Sequence, residues 1–154
     1  MTSLYFHIPF CLKKCAYCDF VSEAGREADF SRYLARLESE IAETAKRLGR
    51  VPVSTLFFGG GTPSILPSDA VMHLIAMCRA LFRVAEDAEI TVEANPGAVS
   101  LAKLRDYRDA GVNRISLGVQ SFSPRLLELL GRVHDGEQAV EAVSLSRQAG
   151  IENI

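Results

Sequence analysis

Short apolar segments alternate with longer segments of helical periodicity along the chain, and this alternation limits the fold more than any other feature. The apolar segments predict strands at residues 3–8, 53–58, 89–94 and 114–119, and a fifth strand that begins at Ile151. Helical periodicity fills the gaps between them, at residues 29–48, after Pro67-Ser68-Asp69, at 101–110, after Ser123 and at 137–149. This repeated strand–helix order predicts an α/β fold with a parallel sheet and right-handed crossovers.

The predicted strands are more polar on one face than strands of a sheet buried on both sides. Tyr5 and His7 share one face of the first strand, and Glu93 lies on the polar face of the third. This pattern predicts a closed or partly closed barrel, with helices over the apolar outside and polar residues along the interior. Active sites of parallel barrels lie at the C-terminal ends of the strands. Those ends carry His7, the glycines 59–61, Glu93 and Gln120.

The last residues predict a barrel that is cut short. Residues 151–154 have the character of an opening strand, so we expect the chain to be the N-terminal part of a barrel, truncated at about the fifth strand. A barrel cut there would leave an unpaired strand edge.

Composition and charge favour a soluble cytoplasmic protein. The chain has 154 residues, of which 48% are hydrophobic, and its net charge of −2 gives no indication of a nucleic-acid-binding surface. It contains no run of ~20 apolar residues, so no membrane span is expected. The first residues lack the basic and apolar regions of a secretory signal peptide. We therefore expect the cysteines to be reduced thiols of the cytoplasm and not disulfides.

Three of the four cysteines follow the first predicted strand in a C-x3-C-x2-C pattern, as Cys11, Cys15 and Cys18. Thiolates select zinc or iron–sulfur centres. A structural zinc site has four protein ligands, and His7 could complete such a set, so a zinc-binding structural module is one alternative. A [4Fe–4S] cluster on three cysteines leaves one iron without a protein ligand. An open iron can bind a small molecule, and the ligand count favours this cluster.

Further polar and glycine-rich segments end the other predicted strands. Gly-Gly-Gly-Thr-Pro-Ser at residues 59–64 permits positive φ angles and a close approach of ligand to backbone. It matches neither a phosphate-binding loop, because no Lys-Ser/Thr follows, nor a dinucleotide fingerprint, because Ser64 replaces the third glycine. Glu93 and Gln120 end the third and fourth strands, and Arg132 follows the next short helix. Such side chains suit hydroxyl groups or a carboxylate.

The cysteine spacing, with Tyr17 inside it, after the first strand of a parallel barrel resembles the radical S-adenosylmethionine (radical SAM) superfamily. Within it, the chain resembles the oxygen-independent coproporphyrinogen III oxidases and their haem-chaperone relatives. Four segments carry the resemblance in order: Tyr-Phe-His-Ile-Pro-Phe-Cys, Gly-Gly-Gly-Thr-Pro-Ser, Glu-Ala-Asn-Pro-Gly and Gly-Val-Gln-Ser-Phe. The resemblance runs from residue 4 to the end, and implies that residues 1–154 are an incomplete radical SAM core domain with a partial (β/α)6 barrel.

The resemblance implies two cofactors, a [4Fe–4S] cluster and S-adenosyl-L-methionine. Cys11, Cys15 and Cys18 would hold the cluster, whose open iron would bind the amino and carboxylate groups of S-adenosylmethionine. One electron from the cluster would then split the carbon–sulfur bond of the sulfonium. Contacts to this cluster-bound molecule are implied at Tyr5, Gly60 and Glu93. In the oxidases a second S-adenosylmethionine binds, which implies further contacts at Tyr17, Gly61, Thr62, Gln120 and Arg132.

Two departures from the oxidases resemble the haem-chaperone branch. The oxidases carry another cysteine two positions after the third, where this chain has Phe20, and they have a long extension before the first strand, which here begins almost at Met1. The resemblance therefore implies haem as a ligand, an acceptor protein as its destination and a separate electron donor. The first alternative is an oxidase that decarboxylates coproporphyrinogen III to protoporphyrinogen IX. The second is the zinc-binding structural module.

Five further residues are expected to have no direct part in this chemistry. Cys78 lies on the apolar face of its helix and is expected in the core. His73 is off that face and is expected at the surface, and His134 is expected to be an ordinary loop residue. Lys13 and Lys14 lie between two of the clustered cysteines and are expected at an exposed loop tip.

Overall fold

Four parallel strands form the main sheet of the computed structural model, which describes residues 2–154. The strands are β1 (Thr2–Ile8), β2 (Phe10–Cys11), β3 (Glu23–Ala24), β4 (Pro52–Gly60), β5 (Arg83–Ala94) and β6 (Arg114–Leu117). The α-helices are α1 (Phe30–Leu48), α2 (Ser68–Leu81), α3 (Leu101–Asp109), α4 (Pro124–Leu130) and α5 (Gly136–Gln148). The main sheet has the order β1-β4-β5-β6, and β2 pairs with β3 beside it. The predicted α/β fold with a parallel sheet is confirmed.

Two strand boundaries differ from the prediction for reasons of pairing. β5 begins at Arg83 and not at residue 89, because Arg83 and Val84 pair with Pro52 and Val53 before an irregularity in the register. β6 ends at Leu117 and not at residue 119, because the chain turns away soon after the Gly118 N–H bonds to Ala94.

The residues near Ile154 join the main sheet beside β6. Asn153 forms an isolated parallel bridge with Arg114, and its carbonyl accepts a hydrogen bond from the N–H of Ile115 at 3.0 Å. Ile151 is 1% exposed and belongs to the main core. The fifth strand is predicted to begin at Ile151, and in its place the structure forms an isolated bridge at Asn153, two residues later.

One face of the main sheet carries the core. Its strand residues are fully buried against the helices, as Leu56, Phe58, Ile90, Val92 and Ile115. Burial of each such side chain contributes roughly 1.5–3 kcal/mol, so this face dominates the stability of the fold. Cys78 of α2 lies in the same core, and burial raises the pKa of its thiol to about 12. Its prediction as a core residue is confirmed.

The opposite face of the sheet is the more polar one, as predicted. Alternation along the strands places Tyr5 and His7 of β1 and Glu93 of β5 on this face. β4 contributes the aromatic Phe57, whose ring stacks on Tyr5 with 5.8 Å between the centroids. This face therefore combines hydrogen-bonding groups with one aromatic pair.

Helix ends follow the local sequence signals. Asp135 forms a capping box with Gln138 at the start of α5: its side chain accepts from the Gln138 N–H at 2.8 Å, and the Gln138 side chain accepts from the Asp135 N–H. Gly49 ends α1 with a φ of 71°, a value that favours glycine. None of the α-helices within residues 2–154 is both long enough and apolar enough to cross a membrane.

Candidate cofactor site

A cavity of about 440 Å³ lies at the C-terminal ends of β4, β5 and β6. All three clustered cysteines line it. The cavity also brings together most of the residues for which the sequence predicts cofactor contacts, namely Tyr17, Gly60, Gly61, Thr62, Glu93, Gln120 and Arg132. Tyr5 is not among its lining residues. Residues from five separate segments of the sequence thus meet at the edge of the sheet where the topology predicts a site.

The cysteine loop, residues 11–22, presents its three thiols to this cavity. Cys11 is buried at the end of β2, whereas Cys15 and Cys18 are partly exposed. A hydrogen bond of 3.1 Å from the Cys18 N–H to the Cys15 carbonyl forms a turn between the last two. The Thr62 hydroxyl lies 3.5 Å from Cys11 Sγ and donates to it. All three thiols are free.

Lys14 braces the cysteine loop from within. Its Nζ donates to the carbonyl of Phe20 at 2.5 Å, to the carbonyl of Ser22 at 3.3 Å and to the Ser22 hydroxyl at 3.1 Å. The sequence predicts an exposed loop tip, and Lys14 is exposed, but its ammonium group closes the loop on itself. The sequence does not distinguish Lys14 from Lys13 in this respect, because two of its partners are backbone carbonyls, which every residue carries.

His7 supports the same loop from β1. Its Nε2 lies 2.8 Å from the carbonyl of Val21. Its ring also lies directly under Gly60, where an added Cβ would be 2.5 Å from Nδ1. His7, the proposed fourth ligand of a zinc site, is therefore in contact with the backbone of two loops.

The glycine run needs its glycines for two separate reasons. Gly60 has a φ of 104°, which side-chain-bearing residues rarely adopt. An added Cβ at Gly61 would lie 2.5 Å from the carbonyl oxygen of Phe10 and 2.7 Å from that of Ile8. The Gly61 N–H donates to Ile8, and the Thr62 N–H donates to Phe10. The glycine loop is thereby fastened to the start of the cysteine loop.

Glu93 and Tyr5 lie beside the glycine loop on the polar face of the sheet. The Glu93 carboxylate accepts a hydrogen bond from the Gly60 N–H at 3.1 Å. Partial burial and the nearby Glu93 raise the pKa of Tyr5, so its hydroxyl stays protonated at neutral pH. Its side chain is nevertheless 57% exposed.

Gln120 has an unusual backbone at the cavity wall. Its φ is 66°, and it is the one non-glycine residue with positive φ among residues 2–154. Two tight hydrogen bonds surround it, from the Val119 N–H to Leu117 and from the Ser121 N–H to Val119. Strained backbone of this kind costs of order 1–3 kcal/mol and persists only where neighbouring contacts hold it.

Arg132 and His134 supply those neighbouring contacts. Arg132 Nη2 donates to the carbonyl of Gly118 at 2.6 Å, and His134 Nε2 bonds to the carbonyl of Val119 at 3.0 Å. His134 is only 5% exposed, and burial lowers its pKa, so it is a neutral Nε2–H donor. Sequence reasoning treats His134 as an ordinary loop residue, because nothing local signals that its loop is covered.

The predicted surface histidine is also located. His73 of α2 is exposed, and its Nε2 lies 3.6 Å from a carboxylate oxygen of Glu38 on α1. Its prediction as a surface residue is confirmed.

The donor set of the cavity fits an iron–sulfur cluster. It offers three thiols from one loop, with hydrogen-bond donors from Thr62 and Arg132 directed at two of the sulfurs. Over residues 2–154, no group of three His, Cys, Asp or Glu side chains is gathered as closely as a single metal ion requires.

Comparison with known proteins connects this arrangement to described families. The family model of the Radical SAM superfamily matches residues 5–154. The chain is 47% identical over 151 residues to the heme chaperone HemW of Escherichia coli, covering 97% of this chain and 40% of that protein. It is 41% identical over 154 residues to the oxygen-independent coproporphyrinogen III oxidase of Bradyrhizobium diazoefficiens, covering 99% of this chain and 34% of that protein.

A solved structure supports the same relationship. Coproporphyrinogen III oxidase (HemN) from Escherichia coli, described as a radical SAM enzyme, superposes with a TM-score of 0.90 at 36% identity. The match covers 97% of this chain and 35% of that one. The chain thus spans well under half the length of these relatives.

Proposed function

This chain belongs to the radical SAM superfamily, and we propose that it is the cluster-binding part of a haem chaperone. One observation carries the proposal: three thiols and the polar residues of three strand ends line a single cavity, in a chain 47% identical to a heme chaperone. Haem is the proposed cargo and an acceptor protein its destination. A separate protein would supply electrons. Free thiols suit a reducing compartment, so we place the protein in the cytoplasm.

Cys11, Cys15 and Cys18 would hold a [4Fe–4S] cluster, leaving one iron open. When bound, such a cluster would supply the electron that splits a carbon–sulfur bond of the sulfonium group of S-adenosylmethionine. The protein's own contribution is to fix the thiols and to bind and orient the substrate. Lys14 and His7 fix the cysteine loop through backbone carbonyls, and Thr62 and Arg132 donate hydrogen bonds to sulfur.

Glu93, Gly60 and Tyr5 are the proposed contacts of a cluster-bound S-adenosylmethionine. Glu93 keeps an anionic acceptor at the end of β5, beside the glycine loop, where it can receive the amino group of the methionyl part. Gly60 leaves its backbone open to close approach, since it carries no side chain. Tyr5 offers a protonated hydroxyl from the neighbouring strand, outside the cavity-lining set.

Iron and sulfide analysis of protein reconstituted without oxygen tests the cluster. We expect about four irons and four sulfides per chain, in keeping with a [4Fe–4S] centre, and loss of both when any of the three cysteines becomes alanine. Cys78→Ala is the matched control, because Cys78 lies in the core and should leave the iron content unchanged. One zinc per chain with no sulfide would support the zinc-binding structural module instead.

An oxygen-independent coproporphyrinogen III oxidase is the second candidate function. Two observations favour it: the TM-score of 0.90 to HemN, and a cavity lining that includes the proposed contacts of a second S-adenosylmethionine, which are Tyr17, Gly61, Thr62, Gln120 and Arg132. Phe20, also at the cavity, occupies the position of the oxidases' additional cysteine.

Turnover separates the two candidates. The protein is supplied without oxygen with coproporphyrinogen III, S-adenosylmethionine and a chemical reductant. A chaperone is expected to form no protoporphyrinogen IX, but to bind haem and pass it to an apo-acceptor, monitored by absorbance. Formation of protoporphyrinogen IX would overturn the chaperone proposal and support the oxidase.

A further inference from the structure

Arg132 joins one of the candidate cluster ligands to a distant part of the cavity wall. Its Nη1 lies 3.3 Å from Cys15 Sγ and donates to it, while Nη2 donates to the carbonyl of Gly118 at 2.6 Å. Cys15 belongs to the cysteine loop, whereas Gly118 begins the strained turn that contains Gln120. A single guanidinium group thus bridges two segments more than a hundred residues apart.

The surrounding backbone holds this bridge in place. The Ala16 N–H donates to the carbonyl of Leu130 at 3.3 Å, which brings the segment before Arg132 against the cysteine loop. Gly118 has no side chain, and an added Cβ there would lie 3.3 Å from Arg132 Nη2. The Nε atom of Arg132 is buried and has no partner within residues 2–154. The hydrogen bonds of the guanidinium therefore direct it at Cys15, and the missing side chain at Gly118 leaves room for it there.

We propose that Arg132 is a positioning residue for the cluster, which fixes Cys15 against the Gln120 turn and raises the reduction potential of a cluster held there. This inference rests on the proposed function, because it presumes a cluster on Cys15. It differs from a role as a contact of a second S-adenosylmethionine, since it acts with no substrate bound.

The expected effect on potential follows from charge. Reduction adds an electron to the cluster, so a nearby positive charge and an N–H donor to sulfur stabilise the reduced form more than the oxidised form. Hydrogen bonds to sulfur and net charge are among the terms that set cluster potentials. Loss of Arg132 should therefore shift the midpoint potential to more negative values. A lysine at this position keeps the positive charge, but it lacks the planar guanidinium group that donates to both Cys15 and Gly118.

The test compares Arg132→Gln and Arg132→Lys with the unaltered protein and with Arg125→Gln. Arg125 is an exposed residue of α4, so its loss removes an equal charge elsewhere. Midpoint potentials are measured by spectroscopic redox titration of reconstituted protein without S-adenosylmethionine. We expect the most negative potential for Arg132→Gln, an intermediate value for Arg132→Lys, and an unchanged one for Arg125→Gln.

Each outcome decides something different. If the unaltered protein binds no iron and sulfide, the proposed function fails. If it holds the cluster and both Arg132 variants keep its potential, the inference fails, and an accompanying loss of S-adenosylmethionine binding would leave Arg132 as a substrate contact only. If Arg132→Gln alone fails to hold the cluster, the anchoring part is supported, and the potential of Arg132→Lys then decides the electrostatic part.

Discussion

The Glu93 carboxylate accepts a hydrogen bond from the N–H of Gly60 at 3.1 Å, which joins the end of β5 to the end of β4. The same Gly60 lies over the ring of His7 at the end of β1. Three neighbouring strand ends are therefore linked through one residue that has no side chain. Changes at Glu93 and at Gly60 should therefore have different effects, the first on ligand binding and the second on the packing of the strand ends, and the two effects can be measured separately.

Glu93→Gln keeps the shape of the side chain but removes its charge. A hydrogen bond to a charged group contributes roughly 1.5–3 kcal/mol. We therefore expect the affinity for S-adenosylmethionine to fall by about tenfold or more, at 1.4 kcal/mol for each factor of ten, with little change in thermal stability. Equilibrium binding to reconstituted protein under anaerobic conditions measures this. Glu128→Gln, an exposed change on α4, should bind as the unaltered protein does, and equal affinities for the two variants would remove Glu93 from the site.

Gly60→Ala should destabilise the fold in two ways. The φ of 104° is unfavourable for alanine, and the new Cβ would lie 2.5 Å from His7 Nδ1. Gly25→Ala is the matched control, because Gly25 also has positive φ (70°) but nothing within 4 Å of an added Cβ.

In the left-handed region, where the φ of Gly25 lies, the strain on an alanine is about 1–2 kcal/mol. Urea unfolding should therefore show a loss of about that size for Gly25→Ala and a clearly larger one for Gly60→Ala. Equal losses would mean that His7 moves aside at no cost.

Lys14→Met should loosen the cysteine loop without unfolding the protein. Each hydrogen bond of the ammonium group contributes about 0.5–1.5 kcal/mol, and the loop is exposed. We expect hydrogen exchange in residues 11–22 to quicken by about tenfold, since local opening of that segment becomes easier by about 1.4 kcal/mol. Lys13→Met serves as the control from the adjacent position. Unchanged exchange in Lys14→Met would show that the loop is held by its other contacts.

His134 should make stability depend on pH. Burial lowers its pKa in the folded protein below the usual value of about 6.5. Between those two values the unfolded chain binds more protons than the folded one, so stability rises with pH over that range and is lost as the pH falls below about 6.5.

The His134→Gln variant can still donate to Val119 but does not titrate. We expect the difference in Tm between pH 5.5 and 7.5 to be smaller in this variant than in the unaltered protein. His73→Gln removes an exposed histidine of α2 and is measured beside it, as the control for the loss of a histidine elsewhere in the chain. A Tm difference that His134→Gln leaves unchanged would show that other groups set the acid sensitivity.

Periodicity along the sequence predicts most of the fold, because the sheet buries one face of each strand. Ile90 and Val92 alternate with Thr91 and Glu93, and the structure places the two sets on opposite faces as expected. The early start of β5 at Arg83 could not be foreseen, since it depends on pairing with Pro52 and not on the apolar pattern of β5.

The sequence predicts those residues of the candidate site that lie at the ends of strands. Glu93 and Gly60 follow from topology, because parallel strands bring their C-terminal ends to one edge. The positive φ of Gln120 carries no local signal, since glycine is the residue expected in that conformation. The bridge from Arg132 to Cys15 links residues far apart in the chain, and only the packing of α4 against the cysteine loop reveals it.

The contacts of Lys14 have a consequence for what holds the cysteine loop in shape. In a zinc finger the metal is the template, and the chain takes its shape only around the ion. In this chain a side chain of the loop has a similar role, because the ammonium group of Lys14 donates hydrogen bonds to three oxygen atoms of the same loop. The shape of the cysteine loop therefore depends on contacts within the loop itself and not on the cysteines alone.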